Sequence, residues 1–211
     1  MGCYPPDMPN PVVDFWYEYA SPYSFLAAER IEALAQERGV TLRWRPFLLG
    51  VIFKKQGFDT TPFNLFPDKG RYLWRDMARW CDRMGIPLKR PEPFPQNSLL
   101  ASRVALALPD DARPAFTKAV FRMEFCDGAD ISDEAVIHDA VRQTGYELET
   151  ALATAKTDLL KHALRKQTDE AEAKGVFGAP TLVTPDGELF WGNDRLIEAL
   201  DWTAGRRVER L

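Results

Sequence analysis

Val12-Val13-Asp14-Phe15-Trp16-Tyr17-Glu18-Tyr19-Ala20-Ser21-Pro22-Tyr23-Ser24 runs from an apolar stretch straight into the start of an amphipathic helix. Up to Tyr19 it is rich in β-branched and aromatic residues and reads as a strand. Beyond it, Phe25, Leu26, Ala28, Ile31, Leu34 and Ala35 recur at helical spacing as far as Gly39. Ser21 ahead of Pro22 fits a helix N-cap followed by proline at the first helical position. The Ser21 hydroxyl therefore stands where backbone N–H groups and the helix dipole favour negative charge.

Working outward, Val40-Thr41-Leu42-Arg43-Trp44-Arg45-Pro46 alternates apolar and polar residues, as a half-buried strand does. Strand, helix and strand joined by a short turn at Gly39 make a right-handed parallel βαβ unit. From Phe47-Leu48-Leu49-Gly50 to about Lys174 the pattern is helical. Arg71 to Met84 carries Leu73, Trp74, Met77, Trp80, Cys81 and Met84 on one face and stops at Gly85. Further helices are predicted over Leu99 to Leu108, around Phe116 to Met123, behind a Ser132 cap, and as one long stretch from Leu148 to Lys174. Their apolar faces must bury one another, which makes 50–174 an inserted helical subdomain. Leu182-Val183-Thr184, a Pro185-Asp186-Gly187 turn and Glu188-Leu189-Phe190-Trp191 then read as a hairpin. A closing helix follows, starting at Asn193-Asp194. The order is β-α-β, helical insertion, β-β-α: an α/β chain with the thioredoxin fold, its core formed by 12–49 and 175–203.

Composition narrows the function. The 211 residues are 45% hydrophobic and 27% charged, as in an ordinary globular protein. A net charge of -4 gives no electrostatic basis for a nucleic-acid partner. No apolar stretch approaches the roughly 18–20 residues that span a bilayer, so no membrane segment is expected. Residues 1–11 hold four prolines and lack the charged and apolar regions of a signal peptide, so they read as an extended lead-in. Pro6 stands where myristoylation at Gly2 requires Ser or Thr. Cys3, Cys81 and Cys126 are odd in number and scattered, which argues for a reducing, cytoplasmic setting without disulfides. With only His138 and His162 beside them, no metal site is expected.

Three distant stretches converge in this topology. At Ser21-Pro22-Tyr23-Ser24 a thiol-disulfide oxidoreductase carries C-x-x-C; here there is no sulfur. Gly178-Ala179-Pro180-Thr181 precedes the third strand, where a thioredoxin fold places a proline, usually cis, beside the first helix. The N–H and C=O of Ala179 are then expected to be free to pair with an extended peptide. At the Trp191-Gly192-Asn193-Asp194 corner, Asp194 suits an ammonium and Asn193 with the helix N-terminus suits a carboxylate. An amino-acid head, a peptide middle and a thiol fit these sites in order, which describes glutathione. Glu18 and Asp14 read as hydrogen-bonded structural carboxylates, and the tryptophans as mostly core, apart from Trp191.

Five motifs carry a family resemblance. They are Asp14-Phe15 with Ser21-Pro22-Tyr23-Ser24, Arg45-Pro46-Phe47-Leu48-Leu49-Gly50, Phe94-Pro95-Gln96-Asn97-Ser98, Gly175 through Thr181, and Trp191-Gly192-Asn193-Asp194-Arg195. In register from about Val12 to Trp202, they resemble the 2-hydroxychromene-2-carboxylate isomerases, relatives of the kappa-class glutathione transferases within the DsbA-like group. The resemblance implies glutathione as cofactor and Ser21 as the catalytic residue that favours its thiolate. It implies glutathione contacts at Ser21, Ala179, Pro180, Trp191, Gly192, Asn193 and Asp194, and substrate contacts at Lys54 and Phe94. It also implies a homodimer. In the family reaction the thiolate adds reversibly to a ring-opening chromene carboxylate, a bond rotates, and elimination gives trans-o-hydroxybenzylidenepyruvate in aromatic catabolism. This chain departs from the pattern at Glu18, at Phe58, and at Phe94, where a tyrosine hydroxyl is lost.

The alternative within the same glutathione site is a kappa-type transferase or peroxidase. A disulfide oxidoreductase lacks its cysteines here. A non-catalytic module that binds peptides along the Ala179-Pro180 edge is distinguished from both enzymes by its indifference to glutathione.

Overall fold

In the computed structural model, residues 9–206 are described; Cys3 and most of the proline-rich lead-in lie outside them. β1 (Val12–Tyr17) and β2 (Thr41–Pro46) pair in parallel, with Phe15 opposite Trp44. β3 (Thr181–Val183) lies antiparallel along the other side of β1, and β4 (Leu189–Trp191) completes the order β2-β1-β3-β4. Every residue of β1 after Val12 is buried, because helices cover both faces of this central strand. Its side chains alternate between two cores. Phe15 and Tyr17 pack with Trp44, and Tyr17 reaches Phe121, on one side; Trp16 meets Phe47 on the other. This is the thioredoxin fold with a helical insertion that the residue pattern predicts.

β1 ends two residues earlier than its composition suggests, because the Glu18 carbonyl accepts the Ser21 N–H at 3.1 Å and turns the chain. The predicted first helix is two helices, α1 (Pro22–Ala28) and α2 (Ile31–Gln36). The break at Glu29-Arg30 is a tightened turn, with the Arg30 N–H on the Ala27 carbonyl at 3.0 Å. Arg30 there reaches Asn193 and Trp80.

The insertion holds α3 (Leu49–Lys55), α4 (Pro62–Leu65), α5 (Pro67–Met84), α6 (Leu99–Ala107), α7 (Arg113–Arg122), α8 (Glu134–Arg142), α9 (Leu148–Lys156) and α10 (Asp158–Ala173). A π-helical turn at Met123–Asp127 prolongs α7. The stretch from Leu148 is not one helix: Thr157 is extended, ends α9, and accepts the Leu160 N–H to cap α10. Asp133, not Ser132, caps α8; the Ser132 hydroxyl donates to Asp130 instead. Tyr17 and Tyr19 both meet the Thr117 hydroxyl, at 2.9 and 3.1 Å, tying β1 to α7 inside the core. After β4, Gly192 leads into a 3-10 turn (Asn193–Arg195) and α11 (Leu196–Thr203), so the α-helix starts three residues later than the pattern suggests.

Candidate active site

Ser21 caps α1 as its sequence implies: its Oγ accepts the Ser24 N–H at 3.2 Å. The same hydroxyl donates to the Ala179 carbonyl at 3.0 Å. This corrects the expectation that Ala179 presents a free C=O. An N-cap side chain folds back over its helix end, and the loop before β3 lies against that end, so Ser21 reaches the carbonyl first. The Ala179–Pro180 bond is cis.

These residues form one wall of a cavity of about 1490 Å³. Ser21, Ala179, Trp191, Gly192, Asn193, Asp194, Lys54 and Phe94 all line it, so eight of the nine predicted residues converge. The ninth, Pro180, is buried behind the wall and is not among the lining residues. Phe58, the departure from the family pattern, also lines the cavity and is exposed.

Local packing sets each position. Gly178 lets the Trp191 indole lie on the backbone, because a Cβ there would run into the indole Nε1. Phe177 braces the same indole edge-on at 5.0 Å. Gly192 has φ +118, and a Cβ on it would collide with the Asp194 carboxylate, so glycine is required at this corner. Asp194 is exposed, with Arg195 at 3.6 Å. Asn193 is buried, and its side-chain oxygen accepts from Arg30 at 3.0 Å. Its amide is therefore a strut between α2 and the corner rather than an open carboxylate ligand. Lys54 is exposed at the end of α3, while Lys55 turns away to Asp169 and Glu172.

Glu18 is more than a passive carboxylate. Its Oε2 accepts the Leu49 N–H at 2.9 Å, at the start of α3, and its Oε1 accepts the Ala20 N–H at 3.4 Å. Ser98, buried beside it, favours its charged form. One side chain thus joins the Ser21 turn, the helix carrying Lys54, and the segment after Phe94. Burial pushes the Glu18 carboxyl above its ordinary value, against the pull of Ser98 and the backbone donors. Behind it lies Glu124, fully buried, with neither oxygen partnered among the described residues. Burial first, then Glu18 and Asp130, hold its carboxyl well above the usual range.

Two further features escape motif reading. Tyr23 donates its hydroxyl to Asp76 at 3.0 Å, and both line the cavity. Trp80, assigned by periodicity to the core, is only half-buried and lines the cavity too. Only Trp16 and Trp44 of the six tryptophans are fully buried. Tyr72, Asp76 and Trp80 recur every four residues, and that stripe beside the apolar face of α5 was the available signal. His138 pairs with Glu134, and His162 with the Asp158 carbonyl, both outside the cavity. Among the described residues no three His, Cys, Asp or Glu side chains group as a metal site. No described helix is long and apolar enough to cross a membrane.

Residues 12–201 match the family model for a DSBA-like thioredoxin domain. The chain is 30% identical over 189 residues to a 2-hydroxychromene-2-carboxylate isomerase of Pseudomonas sp. (strain C18), covering 88% of this chain and 86% of the relative. It is 28% identical to glutathione S-transferase kappa 1 of Homo sapiens, over 87% of each chain. A solved 2-hydroxychromene-2-carboxylate isomerase structure superposes with a TM-score of 0.82 at 28% identity, covering 92% of this chain and 95% of that one.

Proposed function

Because this chain belongs to the DsbA-like thioredoxin-domain family, we propose that it is a glutathione-dependent isomerase of 2-hydroxychromene-2-carboxylate-type substrates, acting in aromatic catabolism. The observation that carries this reading is the Ser21 hydroxyl, on a helix N-terminus, in a cavity lined by the Trp191–Asp194 corner and Lys54. The relatives named as isomerases support the reaction class.

The site residues fit glutathione. The indole-lined cradle at Gly178 suits an extended peptide, and the exposed Asp194 carboxylate suits its ammonium. Bound glutathione supplies a thiolate that adds reversibly to a conjugated substrate and is recovered. The Ser21 hydroxyl has one hydrogen, and it is donated to the Ala179 carbonyl. A peptide N–H paired with the Ala179 carbonyl would release the Ser21 hydroxyl, which could then donate to a glutathione sulfur held at the N-terminus of α1. Charge at the sulfur is further favoured by the N-terminus of α1. Lys54 holds the substrate carboxylate as a point charge. Phe94, braced edge-on against Trp74 at 4.9 Å, walls the ring-binding side.

The test follows the equilibration of 2-hydroxychromene-2-carboxylate by ultraviolet absorbance with and without glutathione. Acceleration that requires both protein and glutathione is expected. Glutathione binding without acceleration favours the kappa-type transferase, a reading supported by the similarity to the human kappa enzyme. No glutathione binding at millimolar concentration contradicts both.

A further inference from the structure

Tyr23 follows Ser21 by two residues, is half-buried, and lines the same cavity. Its hydroxyl donates to Asp76 Oδ2 at 3.0 Å. Asp76 Oδ1 in turn accepts from Arg79 at 2.8 Å, and the Arg79 guanidinium lies over the Tyr72 ring at 5.5 Å. A phenol owns a single hydrogen. Once that hydrogen is committed to a carboxylate, the Tyr23 oxygen offers only lone pairs to anything else, and donation to an anion makes it a stronger acceptor. Burial, reinforced by Asp76, raises the Tyr23 pKa above its ordinary value, so the proton stays on.

We infer that Tyr23, polarised by Asp76, recognises a ring hydroxyl on the aromatic substrate by accepting its hydrogen bond. The surroundings select the rest of the ligand. Phe63, Phe94 and Trp80 give the cavity aromatic walls, and Lys54 supplies the cation for an acid group. A hydroxyl satisfies the Tyr23 lone pair, whereas a methoxy oxygen in the same place sets acceptor against acceptor. A buried mismatch of that kind loses a hydrogen bond and desolvates both oxygens. The inference names a specificity contact within the proposed aromatic-acid site and rests on that reading.

The experiment compares hydroxycinnamates with their methoxy counterparts as probes, binding followed by tryptophan fluorescence in the absence of glutathione. The intact protein is expected to bind the preferred hydroxy isomer about tenfold more tightly than its methoxy partner. Tyr23→Phe is expected to narrow that gap to about twofold or less. Asp76→Ala frees the tyrosine proton to donate, so methoxy binding improves and the gap narrows again. If Tyr23 merely tied α1 to α5, thermal stability would fall in both variants while the gap persisted. A persistent gap in Tyr23→Phe, equal affinities in the intact protein, or no binding of either probe overturns the inference. Glutathione is titrated separately. A protein that discriminates between the probes yet ignores glutathione supports the Tyr23 contact and contradicts the glutathione reading. One that binds glutathione without discriminating contradicts the contact alone.

Discussion

Ser21 makes two hydrogen bonds with one hydroxyl: it accepts from the Ser24 N–H and donates to the Ala179 carbonyl. Both are replaceable, and they predict separable effects of Ser21→Ala. Loss of the cap lowers stability by about 1 kcal/mol, read as a fall in thermal midpoint. In the proposed mechanism, loss of the hydrogen that Ser21 would donate to a bound thiolate lowers turnover by about a hundredfold while glutathione affinity changes little. An unchanged rate would remove Ser21 from the chemistry. The position of this residue was legible because Ser-Pro at the edge of an apolar strand is a local signal. Its bond to Ala179 was not, since that contact spans 158 residues and needs the loop before β3 in place. Asn193 shows the same limit. Its type suggests a polar ligand contact, but Arg30, brought close by the break between α1 and α2, takes its side-chain oxygen.

The elements around the cavity are held by a few close approaches. Gly178 seats Trp191, Gly192 makes room for Asp194, and Glu18 accepts the Leu49 N–H at the start of α3. Gly178→Ala is expected to push the indole off the cradle. The change should appear as a shift in tryptophan emission and about tenfold weaker glutathione binding, the order expected when an aromatic anchor is lost. Retained affinity would place the peptide elsewhere. Helix existence was readable from periodicity, and helix joints were not always. Thr157-Asp158 carries a cap signal, yet the apolar period continues through it, so α9 and α10 merge in a pattern-based reading. On α5, Trp80 fits the buried period but sits at the edge of the face, where the cavity begins.

For the whole molecule, sheet and insertion share one continuous hydrophobic core, from Phe15 and Tyr17 of β1 to Phe116 and Phe121 of α7. We propose that 50–174 is an insertion in topology that depends on the sheet for its stability. Glu124 sits in that core, where burial raises its pKa well above the ordinary carboxyl value, so the folded state holds its proton where the unfolded chain has released it. The sign follows: this group's contribution to stability is fully present below the ordinary carboxyl pKa and is lost as pH rises toward the folded value. Glu124→Gln should therefore gain thermal stability over the unsubstituted protein as pH rises above the ordinary carboxyl pKa, the difference widening with pH. A constant difference would mean that Glu124 titrates normally. The central claim of the proposal is that this fold stabilises a thiolate supplied from outside the chain, at the Ser21 end of α1. The most direct test is a pH titration of glutathione bound to the protein, followed by ultraviolet thiolate absorbance. The account predicts that the bound thiol ionises at lower pH than free glutathione. A bound thiol that titrates like the free one, or at higher pH, contradicts it.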